Sequence, residues 1–134
     1  GGTLFATVVS KGLIVAHLKA VAGAVHLGEL SAAQRSALQK SVEQLGQDGL
    51  DWPSAMKREL DIVRTRDAQG AAARDKITAS YMRLFSNPGT LPELQQMIAA
   101  APQPLPEVVP NPKRVLDEKQ DLTDRLQQTR SRLQ

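Results

Sequence analysis

Apolar residues return every three to four positions along most of the chain, which is the spacing of one face of an α-helix. The first run extends from Thr3 to Leu27, and a second has its apolar stripe at Leu38, Val42 and Leu45. β-branched and aromatic residues do not alternate with polar ones over a useful length, which argues against strands. The pattern predicts two antiparallel helices joined by a short connection.

Residues typical of helix ends mark this connection. Gly28 follows the first run and is a helix stop. Ser31 and Gln34 have the spacing of a capping box, in which each side chain accepts a hydrogen bond from the other residue's backbone N–H. Gly46 and Gly49 predict the end of the second helix.

A third helical region follows Asp51, a good N-cap residue, with Pro53 tolerated in the first turn. It contains two apolar stripes: Trp52, Met56, Leu60 and Val63, then Ile77, Tyr81, Leu84 and Phe85. Gly70 lies between the stripes, and the pattern leaves open whether residues 52–86 form one helix or two. Asn87-Pro88-Gly89 predicts the end of this region.

Prolines divide the last third of the chain. Thr90 and Glu93 have capping-box spacing and predict a short helix through Ala100. Five prolines in residues 101–112 then predict an extended connector.

A final helix is expected after this connector, with Asn111 as its N-cap and Pro112 at its first position. Charged residues of both signs surround its narrow apolar stripe, which is typical of a helix that docks in a groove or pairs with another helix. A helix that folds back onto its own domain has the same pattern, and both interpretations stay open. The candidate interaction residues are those of the stripe: Val115, Leu122, Leu126 and Leu133.

Together these elements predict an all-α fold, with antiparallel helical hairpins packed as a small bundle, a Pro-rich connector and a terminal helix. We expect a helical core domain in residues 1–100, the connector in residues 101–112 and the amphipathic terminal helix in residues 113–134. A chain of 134 residues is long enough to bury one modest core.

Candidate catalytic groups are few. His17 and His26 are nine residues apart, which places them on opposite sides of the first helix, where they cannot share a metal ion. His17 falls on the apolar side, where we expect a core residue with its polar atoms satisfied. The chain has no cysteine, which excludes disulfides and thiolate ligands. We predict no catalytic residue, no metal site and no cofactor.

Glu59 falls inside the apolar face of its helix. An ionised carboxylate in such a place needs a partner or a shifted pKa. Two interpretations follow: a buried ion pair, with Arg58 or His17 as partner, or an acid that faces a ligand.

The formal net charge is +3, with 17 basic and 14 acidic residues interleaved. A nucleic-acid-binding protein concentrates its basic residues on one face. Acidic residues are interspersed among the basic ones here, so we expect nucleic acid to be a poor partner and rank weak nucleic-acid binding third. The basic residues concerned are Lys57, Arg58, Arg64, Arg66, Arg74, Lys76 and Arg83.

Three short segments resemble the C-terminal helical part of uncharacterised, membrane-anchored bacterial envelope proteins. They are Leu30-Ser31-Ala32-Ala33-Gln34, Arg58-Glu59 and Asn111-Pro112-Lys113-Arg114-Val115-Leu116. The resemblance implies a location in the bacterial envelope or periplasm. Contact with a membrane is then expected only through a segment that precedes this sequence.

As function we expect a non-enzymatic protein-interaction or scaffold module that binds a protein partner, or a second copy of itself, through the terminal helix. The alternative is a small apolar-ligand binding protein, with a cavity lined by the first and third helices and Glu59 as its polar anchor.

Overall fold

The computed structural model of the chain describes residues 15–25, 28, 30–48 and 51–133. All regular structure in these ranges is helical and none of them contains a strand, so the prediction of an all-α fold is confirmed. Residues 3–14 of the first predicted helix, His26, the Leu45 side chain and Gly49 lie outside the described residues.

The helices are numbered in chain order. Helix α1 is described over residues 15–25, and the later helices are α2 (Ala32–Asp48), α3 (Trp52–Asp61), α4 (Ala68–Ser86), α5 (Leu91–Ala99), α6 (Leu105–Val108) and α7 (Pro112–Leu133). A short 3-10 turn, Pro88–Thr90, precedes α5. In the described part of the chain, no helix is both long enough and apolar enough to span a bilayer.

The described chain forms two compact units. The central unit comprises residues 51–118, and the two-segment unit combines the described part of residues 15–48 with residues 119–133. Helix α7 contributes its first turns to the central unit and the remainder to the two-segment unit.

In the central unit, α4 packs against both α3 and α5. The predicted stripes supply most of its core, because Trp52, Met56 and Leu60 of α3 and Ile77, Tyr81 and Leu84 of α4 are buried. Leu94 of α5 and Leu105 of α6 are also buried. Val63 is only half-buried, because it lies beyond the end of α3.

Residues 52–86 form two helices, because the chain leaves helical geometry between α3 and α4. Asp67 has an extended backbone (φ −151°), and its Oδ1 accepts a hydrogen bond of 2.8 Å from the N–H of Gly70. This N-cap starts α4. A Cβ atom on Gly70 would lie 3.1 Å from the Cβ of Thr65, so the glycine permits a close approach of the connecting loop.

The predicted start of α2 is confirmed. The Ser31 N–H donates to Oε1 of Gln34 at 2.8 Å, and the Gln34 N–H donates to Oγ of Ser31 at 3.2 Å, which completes the capping box. Gly28 has a φ of +70° and its N–H donates to the carbonyl of Val25, so it is the predicted helix stop. The prediction for Gly46 is wrong, because α2 continues through Asp48.

Two further caps are confirmed. Oδ1 of Asp51 accepts a hydrogen bond of 3.1 Å from the Ser54 N–H, and this bond is the main cause that lowers the pKa of Asp51 below its ordinary value. Oδ1 of Asn111 accepts from the N–H groups of Lys113 and Arg114 at 3.0 and 3.3 Å. Both side chains satisfy N–H groups that the first turn of a helix leaves without partners.

Two local predictions are wrong. Thr90 makes no side-chain cap on α5, because its backbone (φ −85°, ψ 6°) lacks the extended geometry of an N-cap, and its hydroxyl donates to the carbonyl of Asn87. Glu93 lies 3.8 Å from Arg83. The connector is not extended throughout, because Leu105–Val108 form a helical turn whose first residue is buried.

In the two-segment unit, Leu18, Val21, Val42 and Leu133 form one buried cluster. Side chains of α2 also satisfy carbonyl groups at the end of α7. Nη1 of Arg35 donates to the Arg132 carbonyl at 3.1 Å, and Nε2 of Gln39 donates to the Leu133 carbonyl. These bonds cap carbonyls that have no partner within their own helix.

Candidate interaction groove

Two large apolar side chains of the central unit are exposed to solvent. Ile62 is 62% exposed and Val108 is 48% exposed, whereas every other large apolar side chain that the structure describes is buried or half-buried. Ile62 follows the last residue of α3, and Val108 is the last residue of α6.

Both residues line the same groove, which has a volume of about 310 Å³ and is open to solvent. Val63 and Pro104 add to its apolar lining, and Glu59 and Arg64 contribute the charged groups. A volume of this size is at the lower end of the range for ligand sites and accommodates one or two large side chains. We call this surface the Ile62 groove.

Hydrogen bonds fix the loop that forms one wall of the groove. Helix α3 ends at Asp61 with Ile62 as its C-cap residue, and the Val63 N–H donates to the Leu60 carbonyl at 3.1 Å. Nη1 of Arg74 on α4 donates to the Val63 carbonyl at 3.1 Å, which holds the loop against the following helix. Ile62 therefore projects from a fixed backbone.

The other wall is fixed by apolar anchors on both sides of Val108. Leu105 is 1% exposed and Val109 is 7% exposed, so α6 is held to the core at each end. The Tyr81 hydroxyl donates to the Pro110 carbonyl just beyond. With both neighbours anchored, Val108 is left on the outward side of the turn.

Glu59 lies in the groove as a half-buried residue and takes part in a polar interaction within the chain. Both interpretations of Glu59, the buried ion pair and the acid that faces a ligand, therefore stay predictions. The Ile62 groove is not the predicted cavity, because its lining comes from the end of α3, the following loop and the segment around α6. A cavity lined by the first and third helices stays a prediction, since residues 3–14 of the first predicted helix lie outside the described residues.

Comparison of the chain with protein-family models, with curated proteins and with solved structures gives no match. The inferences below therefore depend on the geometry and chemistry of the chain itself.

The prediction that His17 is a core residue is wrong. His17 is exposed, as are Ala16 and Ala20, whereas Leu18 and Val21 are buried. The apolar face of α1 is broader than the part that the core covers, so a helical wheel alone does not identify the covered part. His26 lies outside the described residues.

The four stripe residues of α7 are used inside the chain. Val115, Leu122 and Leu133 are buried, Leu133 belongs to the cluster of the two-segment unit, and Leu126 packs against that cluster. The stripe therefore packs within the chain, as expected of a helix that folds back onto its own domain. The stripe is not exposed for a partner in this conformation.

The basic residues of α3 and α4 do not form one positive face. Nζ of Lys57 lies 2.8 Å from Oδ2 of Asp61, and Nη2 of Arg74 lies 3.4 Å from Oδ1 of Asp75. Acidic side chains are therefore interspersed among the basic ones. Among the described residues, no group of three or more His, Asp or Glu side chains is arranged to hold a metal ion.

Sequence reasoning missed Ile62 and Val108. A weak signal was present at Ile62, because it adjoins Val63 but lies off the stripe of Trp52, Met56 and Leu60. Nothing local distinguishes Val108 from Val109, since the fold alone determines which of the two valines is covered.

Proposed function

We propose that the chain is a non-enzymatic protein-interaction module whose central unit binds an apolar side chain of a partner in the Ile62 groove. The observation that carries this proposal is the placement of the two exposed large apolar residues, Ile62 and Val108, on one fixed groove. Exposed apolar residues that occur singly are ordinary on protein surfaces, whereas grouped ones are typical of binding sites.

The energetics point to a transient interaction. Covering the exposed parts of Ile62 and Val108 would contribute roughly 2–3 kcal/mol, because full burial of such a side chain is worth about 1.5–3 kcal/mol. A dissociation constant of about 1 mM corresponds to about 4 kcal/mol. Tighter binding then requires contacts outside the groove, which a partner segment longer than one residue supplies.

This proposal assigns the partner to a different surface from the terminal helix. The stripe at Leu122 and Leu133 is already buried, and its exposure would cost the two-segment unit part of its core. A location in the bacterial envelope is included in the proposal, supported by the resemblance at Leu30–Gln34 and Asn111–Leu116.

Methyl NMR spectroscopy tests the proposal with a neutral peptide that carries leucines between glutamines. We expect the methyl signals of Ile62 and Val108 to shift on titration, while those of buried Leu84 stay in place. Ile62→Ser should abolish the shifts without unfolding the chain, because the side chain is mostly exposed. Ala79→Ser, at an exposed position of α4, is the matched control. Shifts spread evenly over the surface, or unaffected by Ile62→Ser, would contradict the proposal.

A second candidate function is the binding of a small apolar ligand that carries a cationic group. The observation in its favour is that Glu59 lines the same apolar groove. Dodecylamine and dodecanol are suitable probes, because they share a chain and differ in charge. Under this alternative the amine binds more tightly and loses that advantage in Glu59→Gln, whereas equal binding of both probes would exclude it.

A further inference from the structure

We infer that the partner of the Ile62 groove is an acidic amphipathic protein segment, in which an apolar side chain is flanked by carboxylates. This inference depends on the proposed function and adds the chemistry of the partner. Two observations support it: which charged side chains lie beside the groove, and which of these side chains already pair with another residue of the chain.

Two arginines of the loop between α3 and α4, one of which lines the groove, have no partner of their own among the described residues. Arg64 lines the groove, Arg66 follows two positions later in the same loop, and both are exposed. Neither makes an ion pair or a side-chain hydrogen bond with a described residue.

The acidic residues near this loop are engaged within the chain. Asp61 pairs with Lys57 at 2.8 Å, and Asp67 caps α4 through the Gly70 N–H at 2.8 Å. The loop between α3 and α4 therefore presents a positive charge to a partner.

The location of the arginines explains why they have no partner in the described part of the chain. Several cations on the helices pair with an acid one turn away, as Lys113 does with Asp117 at 2.8 Å and Arg125 with Asp121 at 3.1 Å. Arg64 and Arg66 lie in the irregular loop between α3 and α4, where no helical turn brings an acid beside them. A guanidinium group binds carboxylates in a fixed, two-pronged geometry, so these side chains favour an acidic partner.

The charge on the opposite wall of the groove determines how the partner is oriented. Glu107 precedes Val108 and is exposed, which places a negative charge on the α6 side of the groove. We therefore expect the carboxylates of the partner to face Arg64 and Arg66, with its apolar residue between Ile62 and Val108. Two exposed ion pairs of ordinary strength correspond to an increase in affinity of about fivefold.

Fluorescence anisotropy tests the inference with three peptides of one design, in which leucines alternate with glutamates, glutamines or lysines. We expect the glutamate peptide to bind about fivefold more tightly than the glutamine peptide at low salt, and the lysine peptide to bind most weakly. High salt should remove the difference, since it screens exposed charges.

Two double variants separate local charge from net charge. Arg64→Gln with Arg66→Gln should remove the preference for glutamate, whereas Lys76→Gln with Arg83→Gln, which lowers the net charge equally, should preserve it. Equal affinity for the three peptides, abolished by Ile62→Ser, would overturn the inference and leave the proposed function standing. Binding of none of them would overturn both. If the chain self-associates and Ile62→Ser abolishes this, the occupant of the groove is a second copy, and the inference of an acidic segment is overturned.

Discussion

The hydroxyl group of Tyr81 donates a hydrogen bond to the backbone carbonyl of Pro110. This bond joins α4 to the segment between α6 and α7, and both partners belong to the central unit. Tyr81 is fully buried, with its ring centroid 6.1 Å from that of Phe85. Because Pro110 lies two residues after Val108, the bond helps to fix the wall of the groove on which Val108 is exposed.

Burial raises the pKa of Tyr81 above its ordinary value of 10.0, which predicts a loss of stability in alkali. Below pH 10 the phenol is neutral in both the folded and the unfolded chain. Above pH 10 the unfolded chain loses the proton first, so the free energy of unfolding falls by up to about 1.4 kcal/mol per pH unit. Because Tyr81 is the only tyrosine, tyrosinate absorbance measured through a pH titration reports this group alone.

Tyr81→Phe is the control for this titration. It should remove the contribution of the phenol to the alkaline slope and cost about 1–3 kcal/mol at neutral pH, because the Pro110 carbonyl is left without its donor. The fluorescence of Trp52, the only tryptophan and a buried residue of the central unit, follows the unfolding. Tyrosinate formation near pH 10 in the folded protein would contradict the account of Tyr81.

Opposite effects are expected from the same substitution at two glycines. Gly28 has a φ of +70°, so Gly28→Ala should destabilise the fold by about 1–2 kcal/mol. Gly23 is an exposed residue within α1, and a Cβ atom added to it would meet no neighbouring heavy atom within 4 Å. Gly23→Ala should therefore stabilise the fold by about 0.5–1 kcal/mol. Urea denaturation measures both, and destabilisation by Gly23→Ala would contradict the open space beside Gly23.

The capping box of α2 predicts a difference between two serines of one helix. Ser31→Ala should cost about 1 kcal/mol, because the Gln34 N–H loses its acceptor. Ser36→Ala, at an exposed position within the helix, should be neutral or slightly stabilising because alanine has the higher helix propensity. Thermal unfolding followed by circular dichroism compares them, and equal midpoints for the two variants would argue against the cap.

Asp51 predicts a dependence of stability on acid. Because its folded pKa is lowered, mainly by the Ser54 N–H, its contribution is present above the unfolded pKa and is lost as the pH falls through the folded value. Asp51→Asn keeps an acceptor for the cap but cannot titrate. The variant should therefore lose less stability than the parent chain between neutral and acid pH in urea denaturation. An unchanged acid slope would contradict the prediction.

Helix ends were predictable where the cap is a local interaction. The bonds of Ser31 with Gln34, of Asp51 with Ser54 and of Asn111 with Lys113 all span three residues or fewer, so the sequence contains both partners. The spacing of Thr90 and Glu93 was misleading, because a cap also requires an extended backbone, and the preceding turn at Pro88–Thr90 removes it.

Burial was predictable only where a stripe is narrow. The stripe of Trp52, Met56 and Leu60 has one apolar face to bury, and it is buried. The face of α1 is broad, so the exposure of His17 depends on packing that the sequence pattern does not encode. The groove combines a loop after α3 with a turn more than forty positions later, and its exposed residues became visible only through the fold.

Isothermal titration calorimetry of the leucine–glutamate peptide at several temperatures tests the central claim most directly. If Ile62 and Val108 form an apolar binding surface, complex formation gives a negative heat-capacity change, because apolar area leaves water. Ile62→Ser and Val108→Ser should each reduce this change and the affinity, whereas Ala79→Ser should alter neither. A heat-capacity change that is the same in all four proteins would contradict binding at this groove.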